Sequence, residues 1–177
     1  MVKKIAVAII SLGLLTGCTG TQETATPTSE ATSTSIDQSP LEPISINGVQ
    51  VTGTLGSAPV VEISELNVSV NELQIADQKV GTGQSVPAGA TVLAHYAGYG
   101  LTTGAKFDSS WDRGAPIQFG LDQVIAGWSE GVPGMKIGGR RVLVIPAELA
   151  YGQNPPPGSG IEPGETLLFV IDLVDFL

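Results

Sequence analysis

His95-Tyr96, Lys106-Phe107-Asp108-Ser109-Ser110, Gly127-Trp128-Ser129-Glu130-Gly131, Val142-Leu143-Val144-Ile145-Pro146 and Ala150-Tyr151-Gly152 follow one another between residues 95 and 152. Around them the chain reads as strand and turn. Leu73-Gln74-Ile75 alternates, residues 79–83 turn, and Thr91 to Tyr99 alternates again, with Val92, Ala94 and Tyr96 on one face and Leu93, His95 and Ala97 on the other. Arg140 to Ile145 and Thr166 to Phe176 supply two more strands, rich in Val, Leu and Ile, and Gly and Pro clusters punctuate the segments. Helical character is confined to Val124 to Gly131, where Val124 and Trp128 stand four apart and face the same way; Gly131 and Pro133 end it. One short helix against a curved antiparallel sheet is an α+β layer arrangement.

Working outward, residues 44–71 alternate in short pieces, Val49/Val51, Val61/Ile63 and Val68/Val70, separated by Gly53, Gly56 and Pro59, and read as a β-rich extension. Residues 18–43 are Thr, Ser, Glu and Pro with almost no large apolar side chain, which predicts a disordered tether. Residues 1–17 carry Lys3 and Lys4 ahead of the apolar run Ile5 to Leu15, the pattern of a secretory signal too short for a confident membrane span. The compact domain is therefore expected over residues 72–177.

The single cysteine, Cys18, ends Leu15-Thr16-Gly17-Cys18. That string resembles the lipobox of bacterial lipoproteins, which implies lipidation of Cys18 and a protein exported and anchored to the cell envelope, facing outside the cytoplasm. The net charge of −9 becomes −11 once Lys3 and Lys4 leave with the signal. Phosphate backbones repel such a chain, so nucleic acid is excluded as a partner, and acyl chains rather than headgroup charge would supply membrane attachment.

Other chemistries fail on residue supply. One histidine and one cysteine exclude a Cys/His metal cluster and a Cys–His catalytic pair. Ser109 or Ser110 with His95 lacks a G-x-S-x-G elbow. Gly138-Gly139-Arg140-Arg141 is no P-loop and reads as a hairpin entering a strand. His95, one residue from Tyr96 on a strand, points to the opposite face and takes a structural role.

The order and spacing of the motifs quoted first closely resemble the FKBP family of peptidyl-prolyl cis/trans isomerases, over residues 72–177. The resemblance implies a half-open β-barrel wrapped around one helix, no cofactor or metal, a monomer, proline-containing polypeptides as substrates, and inhibition by macrolides of the rapamycin and tacrolimus type. Residue by residue, it implies a pocket wall of Tyr96, Phe107, Phe119, Val124, Ile125, Tyr151, Ile161 and Phe169, with Trp128 as the floor. The Ile125 N–H and Tyr151 hydroxyl would donate to substrate carbonyls, and Asp108 would sit at the rim, oriented by Arg113. Rotation about X-Pro must break amide resonance, a barrier of about 18 to 20 kcal/mol. A dry aromatic pocket disfavours the planar, charge-separated amide more than the twisted one, with no covalent step.

Two departures stand out. Ile117 occupies a position that is aromatic in many members, which implies a more open wall and altered selectivity. The flap from Gly152 to Pro163 carries Pro155-Pro156-Pro157 and Gly158-Ser159-Gly160, is slightly longer, and lacks the histidine often found there. Two other classes remain open beside the enzyme: a module that holds proline-containing peptides without turnover, and a cell-surface interaction protein acting through residues 44–71.

Overall fold

A computed structural model describes residues 39–177. The expected signal segment, Cys18 and most of the tether lie outside the described residues. Two antiparallel sheets organise the rest. The smaller holds β1 (Ile44–Ile46), β2 (Val49–Thr52) and β3 (Val60–Ile63) in that order. Asn47 and Gly48, at φ 48° and 71°, form the two-residue turn from β1 to β2, and positive φ at both positions matches the twist of the flanking strands.

Val68 and Val70, expected as a strand, are not one. The chain bends through Asn67 at φ 56°, and both valines pack as loop side chains. The end of the expected tether is also engaged: the Leu41 N–H donates to Gly53 O at 2.8 Å, and Gln78 Nε2 donates to Glu42 O at 2.9 Å. The small sheet thus extends its contacts back past residue 43.

The larger sheet holds β4 (Gln74–Lys79), β5 (Thr91–Gly100), β6 (Lys106–Ser109), β7 (Ile117–Gly120), β8 (Arg140–Ile145) and β9 (Leu167–Phe176), in the order β4-β8-β9-β5-β6. β5 forks. One edge pairs with β9 along its length; the other pairs with β7 through Thr91 to Ala94 and with β6 through Ala97 to Tyr99. The strand path among the described residues stays open, so the sheet curves without closing a barrel. β6 and β7 are four residues each, too short to show alternation in the sequence.

α1 spans Ala126–Gly131 and starts two residues later than the sequence pattern predicts. Ile125 is extended, at φ −60° and ψ 149°, so Val124 and Ile125 lie ahead of the helix. Glycine lets the helix lie close on β8: a Cβ on Gly127 would collide with the Ile145 side chain. Arg141 holds the far end, donating through Nη1 to Gly131 O at 2.8 Å while paired with Asp77 at 2.6 Å. Both arginines of the Gly138 to Arg141 run are therefore structural groups of a strand.

Successive residues of β8 and β9 feed two cores on opposite faces. Leu143, Ile145, Phe169, Ile171 and Leu173 meet Trp128 and Tyr96 on the helix side. Val142, Val144, Leu168 and Val170 meet Val49 and Val51 of the extension on the other. Every residue of β8 is buried, which explains a run of apolar residues without polar alternation.

Candidate active site

Tyr96 stands in the fork of β5, between the residues paired with β7 and those paired with β6. Its ring points into the concave side, where Trp128 projects from α1 and Phe169 from β9. Trp128, 4 % exposed, meets three rings edge-on, with centroids at 5.6 Å for Tyr96, 5.2 Å for Phe119 and 5.4 Å for Phe169. Phe107 meets Phe169 at 5.6 Å and 82°. Each edge-to-face contact sets the positive rim of one ring against the negative face of another, adding about 0.5 to 1.5 kcal/mol beyond area burial. The cluster leaves a cavity of about 380 Å³ lined by Tyr96, Phe107, Asp108, Phe119, Gln123, Val124, Ile125, Trp128, Tyr151 and Phe169.

A polar group closes the rim. The Tyr96 hydroxyl donates to Asp108 Oδ2, Arg113 Nη1 donates to Asp108 Oδ1 at 2.5 Å, and Arg113 Nη2 donates to the Tyr96 oxygen at 2.7 Å. Burial alone would raise the Asp108 carboxyl, but hydrogen bonds from Arg113 and Tyr96, with the guanidinium charge, hold it below the usual carboxylate range. Tyr96 is pushed up to about 12 by burial and by its bond to Asp108. Tyr151 is raised by burial and by the nearby Asp108 charge. Asp108 is thus a fixed negative charge near neutrality, with both tyrosines protonated.

Ile125 and Tyr151, the residues expected to donate to substrate, both line the cavity. The Ile125 carbonyl accepts from Trp128 N–H at 2.9 Å and Ser129 N–H at 3.2 Å, while the Ile125 N–H has no acceptor among the described residues. Tyr151, 36 % exposed, brings its ring to the mouth.

A family model described as FKBP-type peptidyl-prolyl cis-trans isomerase matches residues 83–174, just over half of the chain. The chain belongs to the FKBP-type peptidyl-prolyl cis-trans isomerase family. It is 55% identical over 105 residues to an FK506-binding protein of Streptomyces anulatus, covering 58% of this chain and 85% of that relative. It is 45% identical over 97 residues to the FKBP-type peptidyl-prolyl cis-trans isomerase FkpA of Escherichia coli strain K12, which covers 55% of this chain and 35% of FkpA. The crystal structure of AtFKBP13 superposes with a TM-score of 0.55 at 38% identity, over 64% of this chain and 99% of the other. The extension up to Ile63 precedes the residues matched by the family model.

Three residues expected in the FKBP site stand outside the cavity wall. Ile117 pairs with Ala94 in β7, two residues before Phe119 on the same strand face, and packs against the concave core without being among the residues that line the cavity. Ile161 likewise packs against the core from the flap. Arg113 works from the rim, with its guanidinium 5.6 Å from the Tyr96 ring centroid.

Three groups were not foreseen. Gln123 lines the cavity, as the only uncharged polar side chain besides tyrosine among those lining residues. Gly98 lies under Phe107 and Phe169, where a Cβ would come 2.5 Å from one ring and 3.0 Å from the other. Buried Glu165 ties the flap to the β5–β6 turn, accepting from Thr102 N–H at 3.0 Å, Thr103 N–H at 3.2 Å and Glu162 N–H at 2.8 Å. A glycine inside an aromatic-flanked strand signals close approach; a buried glutamate in a glycine-rich turn gives no local pattern.

Proposed function

We propose that this chain isomerises X-Pro bonds of exported polypeptides during their folding, by desolvating and twisting the amide in the aromatic cavity. The observation that carries the reading is a cavity walled by rings with one ion-paired acid at its rim. The proline ring sits over Trp128, and the apolar wall removes water that would solvate the planar, charge-separated amide. The Ile125 N–H and the Tyr151 hydroxyl donate to the flanking carbonyls and hold the twist. Asp108 acts through its charge and its bonds to Tyr96 and Arg113, without carrying a proton. Isomerisation takes tens of seconds uncatalysed and can limit folding, so such a catalyst acts where exported chains fold.

The same cavity takes macrolides of the rapamycin and tacrolimus type, a reading supported by relatives named for binding FK506. Export and anchoring through lipidated Cys18 rest on Lys3, Lys4, the apolar run to Leu15 and the lipobox-like Leu15-Thr16-Gly17-Cys18. Labelled fatty acid should enter the wild-type chain and not Cys18→Ser; equal membrane retention of the two after signal cleavage would sink the anchor.

The test of the activity is a cis/trans assay on a Leu-Pro or Phe-Pro peptide, with and without macrolide. Acceleration abolished by macrolide supports the proposal. A folded protein that binds the peptide without accelerating its isomerisation would instead be a binding module.

A further inference from the structure

The back face of the sheet holds an ion pair that the extension covers and hydrogen-bonds. Arg140 is fully buried and pairs with Asp172, itself buried, through Nε and through Nη2 at 2.7 Å. The extension supplies further partners: Arg140 Nη2 also donates to Ser57 O at 2.7 Å and Thr54 O at 3.1 Å, and the Gly56 N–H donates to Asp172 Oδ2 at 2.8 Å, while Arg140 Nη1 is buried without a hydrogen-bond partner among the described residues.

The guanidinium carbon lies 5.8 Å from the Trp111 ring centroid, and Trp111 stacks on His95 at 5.0 Å and 11°. His95 Nδ1 is 3.0 Å from the buried Ser110 hydroxyl oxygen. That oxygen accepts from the Tyr96 N–H at 2.8 Å, while the Ser110 N–H donates to Tyr96 O at 2.9 Å. Tyr96 sits in the fork, where neither β6 nor β7 supplies a register partner, so Ser110 provides the hydrogen bonds that the ladder lacks on that edge. The backbone fixed there sets the direction of the Tyr96 ring and hence of the hydroxyl that holds Asp108.

We propose that the extension is a positioning element of the isomerase site: its 54–57 turn closes on Arg140 and Asp172 and, through the Trp111–His95 stack and Ser110, holds Tyr96 in register with Asp108. This rests on the pocket reading given above. Ser110, Trp111 and Gly56 are positioning residues, since none of them lines the cavity.

The experiment uses the full chain and measures kcat/KM on a Leu-Pro peptide beside Tm. Trp111→Ala should lower kcat/KM about fivefold, within the range that positional coupling carries. Trp111→Phe, which keeps a ring on His95, should recover most of it. Gly56→Val strains the turn at φ 76° without meeting a neighbour, and should lower kcat/KM about threefold, with the Gly56→Val/Trp111→Ala double variant no worse than Trp111→Ala alone. Val61→Ala loosens the extension's packing away from this chain of contacts and should reduce Tm while kcat/KM stays within about twofold. Additive losses in the double variant, unchanged turnover in Trp111→Ala and Gly56→Val, or an equal loss in Val61→Ala would overturn the inference while leaving the pocket reading intact. A folded wild-type chain without turnover would overturn both.

Discussion

The two faces of the large sheet are both apolar, yet they are built from different chemistry. The concave face is aromatic, with rings set edge to face around a cavity that stays open at one end. The core of the back face is mainly aliphatic, filled by valines and leucines and sealed by the extension, with the Trp111–His95 stack beside its buried Arg140–Asp172 pair. Rings that meet at their edges leave space between them, whereas branched aliphatics interdigitate to crystalline density. The polar groups follow the same division. Asp108 and Arg113 are 40% and 45% exposed at the rim, where their fields reach a ligand, while Arg140 and Asp172 are withdrawn from water and serve the fold.

The largest effect should come from breaking the back face. Asp172→Ala leaves Arg140 buried without its counter-charge and should cost about 4 kcal/mol in denaturant unfolding. Replacing both members with apolar residues of similar volume should recover most of that loss. If the single and double variants are equally unstable, the pair is not the seal described here.

On the concave face, Trp128→Ala should cost about 3 kcal/mol and remove turnover, since the side chain is both core and floor. The void it leaves adjoins an open cavity that water can enter. The two single variants thus separate the faces: loss of the floor abolishes catalysis even where the chain remains folded. Full turnover by a folded Trp128→Ala protein would remove this residue from the site.

Asp108→Val is smaller again in stability, about 1 kcal/mol, because the side chain is partly exposed and the Tyr96 hydroxyl keeps its bond from Arg113, but it should reduce turnover and macrolide affinity. An unfolded variant, or one with both functions untouched, would mean that the rim is misassigned.

The concave face was legible in the sequence because Phe107-Asp108, Trp128 and Tyr151 stand in the order and spacing that resemble the FKBP pattern, and the structure brings them around one cavity. The back face was legible only in part. Alternation over Val49/Val51 and Val61/Ile63 located β2 and β3, while the same alternation misassigned Val68/Val70, because valines in a loop can pack inward without a partner strand. Asn47-Gly48 was an available hairpin signal. The apolar run Val142 to Ile145 within β8 was an available signal for cover on both faces, though not for what supplies it. Placing Ile117 and Ile161 beside the wall required knowing which way β7 and the flap turn, and that depends on pairing across β5 rather than on residue type.

The smallest expected effect is that of pH on turnover. The groups at the cavity move away from neutrality: Asp108 lies below its ordinary value, Tyr96 is near 12, and Tyr151 is raised. None changes charge between about pH 6 and 8, so kcat/KM should be flat across that range. Stability should respond sooner, and from the other face. His95, stacked on Trp111, is lowered by burial against the opposing pull of Asp172, so the unfolded chain takes up its proton first as pH falls. The contribution of His95 is therefore present above about pH 6.5 and lost as pH drops through its lower folded value. Asp108, also lowered, keeps its contribution down to about pH 3.9 and loses it below. Unfolding midpoints and kcat/KM measured together between pH 8 and 5 should separate the two faces, with stability declining before turnover does. A steep titration of turnover near neutrality, with stability unchanged, would reverse that assignment and require a proton-carrying group in the cavity.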